Sequence, residues 1–275
     1  LEKPLVVLEP LRIGYRWASH RHHRFVLQGM RDNQRDFAGS GVLYRPYVEP
    51  EEGAGQGLLE TLATDAALVV TDDWPCFFLP NMQTAAAKKL SVRLEAVDSN
   101  GLYPIRESGR VFSRAFDFRR YLQKNLAQHL LIRPARNPLE GLTLEPGPDL
   151  SGLDSRWPEP SPELLAGEVE ALSRLPLDAT VWPGLLDGGR SAAEARWAAY
   201  LEEGYDRYGE ARNHPDDDVA SGLSPWLHFG HISAHRLFED IAEREAWTPA
   251  SLSSSTGGGR SEEHTSELQS RQYLV

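Results

Sequence analysis

Between Pro4 and Val97 the chain alternates short apolar runs with stretches of helical spacing, and few folds accommodate that rhythm. The runs are PLVVLEP from Pro4, then Val42 to Val48, Ala67 to Asp72 and Val92 to Val97, each about the length of a buried strand. Between them, Trp17 to Phe37 places Phe25, Leu27, Met30 and Phe37 at near-helical intervals. Leu58 to Ala63 is short and amphipathic, and Asn81 to Leu90 holds a run of three alanines from Ala85. Strands that alternate with helices are joined as βαβ units, so the pattern predicts a doubly wound parallel sheet. Ligands of such sheets bind beyond the carboxyl ends of the strands, here near Glu9, Thr71 to Trp74 and Asp98 to Asn100.

The alternation then stops. Phe112 to Leu131 reads as a long helix, and Arg133 to Pro162 is dense in proline, glycine and charge. Such a stretch stays extended and marks a linker. Beyond it no strand signal returns: Glu163 to Leu175, Ser191 to Tyr205, Leu223 to Phe229 and Ala234 to Glu245 all carry helical spacing. Gly188 and Gly189 suggest a flexible entry to the Ala-rich helix that follows. The expected organisation is an α/β domain over residues 1–132, a linker over 133–162 and a helical domain over 163–250. Leu1 lies almost directly before the first apolar run, so the chain is expected to begin within a fold. Arg260 to Ser270, RSEEHTSELQS, is the translation of a sequencing-library adapter, and residues 251–275 are set aside as a low-complexity, adapter-derived tail.

Several chemistries are unsupported by the residues. The strand ends carry neither GxGxxG nor a Walker loop. A net charge of −11 argues against an all-over nucleic-acid coat, although a local basic cleft is compatible with it. The single Cys76 excludes an internal disulfide and points to a reducing, cytoplasmic setting; it reads as a small buried hydrophobe. No run has the apolar length of a membrane span. Asp72, Asp73 and Asp98 read first as strand-end turn acids, and His22-His23 as a solvated helix face.

The stretch from Tyr208 to Ser233, YGEARNHPDDDVASGLSPWLHFGHIS, is richer. Ser221 precedes an apolar run, where its hydroxyl can accept from N–H groups left unpaired at a helix start. Ser221 and Ser224 flank Gly222, which lets a ligand approach the backbone, and a helix terminus of this kind suits a phosphate. An ordinary Ser-capped helix satisfies the same residues. Arg212 can pair with Asp216 to Asp218 in the same turn. His228, His231 and His235 share a nominal helix face, but Gly230 interrupts it, and no metal site is expected. Trp182, Trp197 and Trp226 could carry electrons, though core packing is the simpler use of each.

Taken together, GGRSAAEARWAAYLEEGYDRYGEARNHPDDD followed by SGLSPWLHFGHIS resembles the DNA photolyase/cryptochrome family. RNHP with LSPWLHFGHIS most resembles the class II cyclobutane-pyrimidine-dimer photolyases, and PLVVLEPL, FVLQGMRD, ALVVTD and EAVDSNGLYPI resemble their N-terminal segments in the same order. The resemblance implies an antenna-type doubly wound α/β domain followed by the start of an all-helical FAD-binding domain. It implies a light-driven lyase that splits pyrimidine dimers in UV-damaged DNA with reduced FAD, as a monomer, beside an antenna chromophore of deazaflavin or folate type. Flavin contacts fall on Tyr208, Ala220, Ser221, Gly222, Leu223 and Ser224, and a DNA contact on Arg212. Ala220 departs from the hydroxyl residue common in the family. Relatives continue with helices that close over the flavin, so a chain ending here is expected to hold one wall of the site and to be inactive. A cryptochrome-like photoreceptor and a non-flavin phosphate-binding regulatory module are the other readings.

Overall fold

The structure is a computed structural model that describes residues 3–251. The adapter-like segment and nearly all of the low-complexity tail lie outside the described residues. Within the described residues, four strands and ten α-helices follow one another in the order the sequence implies, with parallel pairing throughout. Strand β1 (Val6–Leu11) pairs with β2 (Leu43–Val48) from Val6 opposite Leu43 to Leu11 opposite Val48, and helix α1 (His20–Phe37) is the crossover between them. Strand β3 (Val69–Asp72) pairs in the same sense with β4 (Leu94–Val97), with α3 (Leu79–Lys89) as crossover; a short helix α2 (Leu58–Leu62) precedes β3. Among the described residues the strands pair two by two and not as one continuous sheet.

The contacts divide the chain into two units, Leu1–Leu58 with Leu139–His231, and Leu59–Pro138 with Ile232–Val275. In the first, α1 is the central element. Ser19 caps it by accepting from the His22 N–H at 3.4 Å, and its apolar side chains Leu27 and Met30 are fully buried with Val48, Leu165 and Leu172. The helix is covered on more than one face by later segments: α5 (Pro162–Ala166), α6 (Val169–Leu172) and α7 (Arg190–Ala199). The helix expected over 163–175 is therefore two. Gly167, at φ 74°, takes the left-handed conformation that ends α5.

This burial corrects the reading of His22-His23 as a solvated face. His23 is wholly buried, its Nε2 3.2 Å from the Arg12 carbonyl and its ring stacked with Tyr15, and His20 is buried as well. The proline-rich stretch is also more than a spacer, because Trp157 is buried and donates its indole N–H to the Ala54 carbonyl at 3.0 Å. The buried guanidinium of Arg45 on β2 donates to the Trp157 carbonyl and pairs with Asp154 and Glu159 at 2.7 and 2.8 Å. A buried cation surrounded by acceptors in this way is costly to leave half-paired, so these contacts fix the segment firmly.

In the second unit, α4 (Ala115–His129) packs Leu122, Leu126 and the neighbouring Leu130 against Leu102, Tyr103 and, from α10 (Ala234–Arg244), Phe238 and Ala242. The acids at the strand ends serve their turns. Asp73 accepts two hydrogen bonds from Arg106, which hold its carboxyl below the usual range, and Asp98 accepts from the Ile105 and Asn100 N–H groups. No helix among the described residues is long and apolar enough to cross a membrane.

Candidate functional site

The candidate site is carried by α7, α8 (Tyr205–Ala211) and α9 (Ser224–His228), all in the first unit. Its foundation is a stripe on α1. Arg24, Gln28, Asp32 and Asp36 recur every four residues and so share one helix face. Arg24 and Gln28 both donate to the Asp187 carboxylate, at 2.6 and 2.9 Å, which holds it below its usual pKa range; the Gln28 carbonyl oxygen accepts from the Gly188 N–H at 2.7 Å. Asp32 accepts from the Ser191 N–H at 2.9 Å, and Asp36 takes a bidentate pair from Arg190. Helix α7 has no cap from its own sequence, since Gly189 stands at the N-cap position. Asp32, from a segment far earlier in the chain, supplies both the acceptor and the negative charge that the first turn wants.

Gly188 and Gly189 are thus pinned, which corrects the expectation of a flexible entry. Both are buried. A Cβ on Gly188 would overlap the Phe25 carbonyl, and one on Gly189 would lie 2.6 Å from the Asp32 carboxylate.

The apolar letters of SPWLHFGHIS anchor α9 to the same helix. Rings of Trp226, Phe229 and His231 surround Phe25 at 5.7, 5.4 and 4.9 Å, and the Trp226 indole donates to the Asp187 carbonyl. His231 accepts from the Gly189 N–H through Nδ1 at 2.9 Å, which requires the neutral ring with its proton on Nε2. Burial lowers its pKa to about 4, so it stays neutral near pH 7. His231 is committed to packing, and the described residues hold no group of three or more His, Cys, Asp or Glu side chains placed to bind a metal. Trp197 and Trp226 are buried, as packing residues would be, whereas Trp182 is 56% exposed.

The loop between α8 and α9 holds most of the residues singled out from the sequence. Ala220, Gly222 and Ser224 are exposed and Ser221 is half-buried. Arg196, on α7, donates to the Ala220 carbonyl at 2.9 Å and the Ser221 carbonyl at 2.7 Å. Gly222 adopts φ 66°, and a Cβ there would lie 3.2 Å from that guanidinium, so glycine serves both the turn and the close fit. No described residue accepts from the N–H groups of Ala220, Ser221 or Gly222. A loop whose carbonyls are drawn to one arginine and whose N–H donors are unspent has the donors that an anion requires.

One expectation changes here. The helix starts at Ser224, within one residue of the expected Leu223, but Ser221 does not cap it: its hydroxyl stands 3.5 Å from the Leu223 N–H, too long for a strong cap, because two further loop residues precede the first turn. Leu223 is wholly buried and Tyr208 nearly so, its ring edge-on to Tyr200. Asp217 is bridged by Arg207 at 3.1 Å, while Arg212 is exposed with its guanidinium 5.7 Å from the Tyr208 ring centroid. Arg196 escaped the sequence reading altogether. A lone arginine inside an alanine-rich helix was the available signal, but its acceptors are carbonyls more than twenty residues on, which no side-chain pattern announces.

Comparison with known proteins follows the same lines. No family model matches the chain. It is 28% identical over 237 residues to a deoxyribodipyrimidine photo-lyase of Methanothermobacter thermautotrophicus, an alignment covering 85% of this chain and 48% of that protein. It is 30% identical over 86 residues to a deoxyribodipyrimidine photo-lyase of Potorous tridactylus, covering 26% of this chain and 16% of that one. The crystal structure of a bacterial class III photolyase from Agrobacterium tumefaciens superposes with a TM-score of 0.68 at 16% identity, over 98% of this chain and 52% of that chain. This chain thus spans about half the length of the archaeal relative and of the solved structure. Over most of its length the chain is thus similar in sequence to a deoxyribodipyrimidine photo-lyase, and it shares the fold of a photolyase.

Proposed function

We propose that this chain is part of a light-driven, class II-type DNA repair enzyme that splits cyclobutane pyrimidine dimers with reduced FAD. We further propose that residues 220–224 hold the phosphates of that flavin. The observation that supports this best is the loop itself, with two carbonyls gripped by Arg196 and three N–H groups without acceptors among the described residues. Those residues fit a pyrophosphate in their chemistry: three N–H donors and the Ser221 hydroxyl lie within a short loop where Gly222 permits close approach. When bound and reduced, FAD supplies the photoexcited electron that opens the dimer. The chain's own residues bind and orient. Ser221 and Ser224 donate hydroxyl hydrogen bonds, Arg196 fixes the loop, Leu223 and Tyr208 back it, and the exposed Arg212 contacts the DNA backbone. A lesion flipped out of the stack would be held over the flavin, and because this chain spans about half the length of its archaeal relative, the chain by itself neither holds FAD tightly nor repairs DNA. An antenna chromophore of deazaflavin or folate type belongs with the α/β strand ends, and the protein acts as a cytoplasmic monomer.

The test uses ADP, which carries the pyrophosphate of FAD, titrated into this chain and followed by backbone amide chemical shifts. Shifts confined to residues 220–224, lost in Arg196→Ala with helix content unchanged and partly restored in Arg196→Lys, are expected. ADP shifts that ignore Arg196→Ala would sink the assignment. For the complete protein, light-dependent cleavage of a dimer-containing oligonucleotide separates repair from a photoreceptor role, and flavin-free complete protein would favour the phosphate-binding module.

A further inference from the structure

Residues 106–136 carry eight Lys and Arg side chains against two acids, a strongly positive segment in a chain of net charge −11. Arg106 is committed to Asp73 and Arg136 to Glu239 and Glu243. Arg110, Arg114, Arg119, Arg120 and Lys124 are all exposed, and none forms an ion pair with a described residue. Elsewhere on the chain Arg24, Arg190 and Arg236 are each paired with a carboxylate. On α4 the unmatched cations are also set against one another: Arg120 and Lys124 stand four residues apart, a like-charge spacing that disfavours the helix. A polyanion laid along this face would reverse that penalty.

Aromatic rings are interleaved with the cations. Phe116 lies on the same face as Arg120 and Lys124, is 56% exposed, and has the Arg120 guanidinium 5.7 Å from its ring. The Arg110 guanidinium sits 4.5 Å from the Phe112 ring and 5.3 Å from Tyr121, so it is held in place without a carboxylate. Arg110, Phe112, Arg120, Tyr121 and Lys124 border a concavity of about 430 Å³ in which Asp117 is the one acid among the described residues, and Phe116 stands outside its lining, one turn of α4 before Arg120. Phosphate alone would ask for cations only. An exposed ring among them suits a ligand that offers base faces beside its phosphates, and a duplex keeps those faces stacked away.

We infer that this face of α4 binds single-stranded nucleic acid, with Arg110, Arg120 and Lys124 on successive phosphates and Phe116 stacked on a base. The surface uses none of the residues assigned to the flavin loop and requires neither a lesion nor a flavin. It is tested by fluorescence anisotropy of an undamaged dT strand of about 12 nucleotides, near the site size of single-strand binders. Affinity should fall with salt, and the double reversal Arg120→Glu with Lys124→Glu should flatten the log–log salt slope by about 1.4, two phosphate contacts at about 0.7 each. Phe116→Ala should weaken binding roughly tenfold with little change in slope. Lys88→Glu, exposed on α3 of the same unit, should leave both unchanged. Equal affinity for a duplex of the same length, displacement by polyglutamate at matched charge, or indifference to the double reversal in a variant of unchanged circular dichroism would each overturn the inference.

Discussion

Asp32 and Asp36 stand on one face of α1, and each meets the start of α7, yet their removal should cost very different amounts. The Asp32 side chain is 2% exposed; it accepts from the Ser191 N–H at 2.9 Å, with Arg35 at 3.2 Å on its other oxygen. Asp32→Ala takes the acceptor from the part-buried hydrogen bond of the Ser191 N–H, worth about 1 kcal/mol, and removes a negative charge from a partly buried helix terminus, worth up to about 2 kcal/mol. The loss is expected at about 1–3 kcal/mol, a large share of a total of roughly 5–15 kcal/mol. Asp32→Asn keeps an acceptor and should lose about half of that. Asp36 and Arg190 form a bidentate pair, but their side chains are 32% and 47% exposed, so solvent screening leaves Asp36→Ala at about 0–1 kcal/mol. Urea denaturation of the three variants under one set of conditions measures the ranking, and hydrogen exchange at Ser191 reports whether the first turn of α7 has opened. Equal losses for Asp32→Ala and Asp36→Ala, or an Asp32→Ala loss below about 0.5 kcal/mol, would refute the view that α1 caps α7.

Acid should loosen the same junction: His231 and His23 have pKa values near 4 in the folded chain because burial disfavours the charged ring, against 6.5 when unfolded. Between those values only the unfolded chain binds the protons, so stability is complete above pH 6.5 and declines toward pH 4, by at most about 1.4 kcal/mol for each histidine per pH unit. His231→Gln should flatten the decline measured by urea midpoints across that range, and an unaltered decline would count against it. Gly188→Ala should cost more than about 3 kcal/mol, because the new methyl meets the Phe25 backbone, which cannot yield. Gly39→Ala makes the control: its φ of 76° is unfavourable where that of Gly188 is not, but nothing lies within 4 Å, so only about 1 kcal/mol of strain is expected. Thermal melts of the two variants that coincide would show that close packing at Gly188 contributes little.

The alternation of strands and helices was legible because both periods are written in apolar residues, and the parallel pairing followed from it. The same counting missed His20 and His23. Histidine scores as polar, and the segments that bury α1 lie more than a hundred residues later. Gly167 was a readable stop between α5 and α6, whereas the pinning of Gly188 and Gly189 was not, since glycine announces freedom and close approach with the same letter. In the loop, hydroxyls and glycine were visible as chemistry. Which face they occupy, with Leu223 inside and Ser224 outside, depended on where Trp226 and Phe229 found Phe25.

The stripe on α1 also governs the order of events during synthesis. The hydrogen bond from Ser191 to Asp32 closes a loop of 159 residues. At about 5–20 residues per second, α1 waits roughly 8–30 s after leaving the ribosome before Gly188 to Ser191 exist to cover it. Through that interval Gln28 and Asp32 face water, which suits them, and their polarity keeps this side of α1 from sticking to other nascent chains. The face that later anchors the start of α7 is thus also one that can be left uncovered without harm.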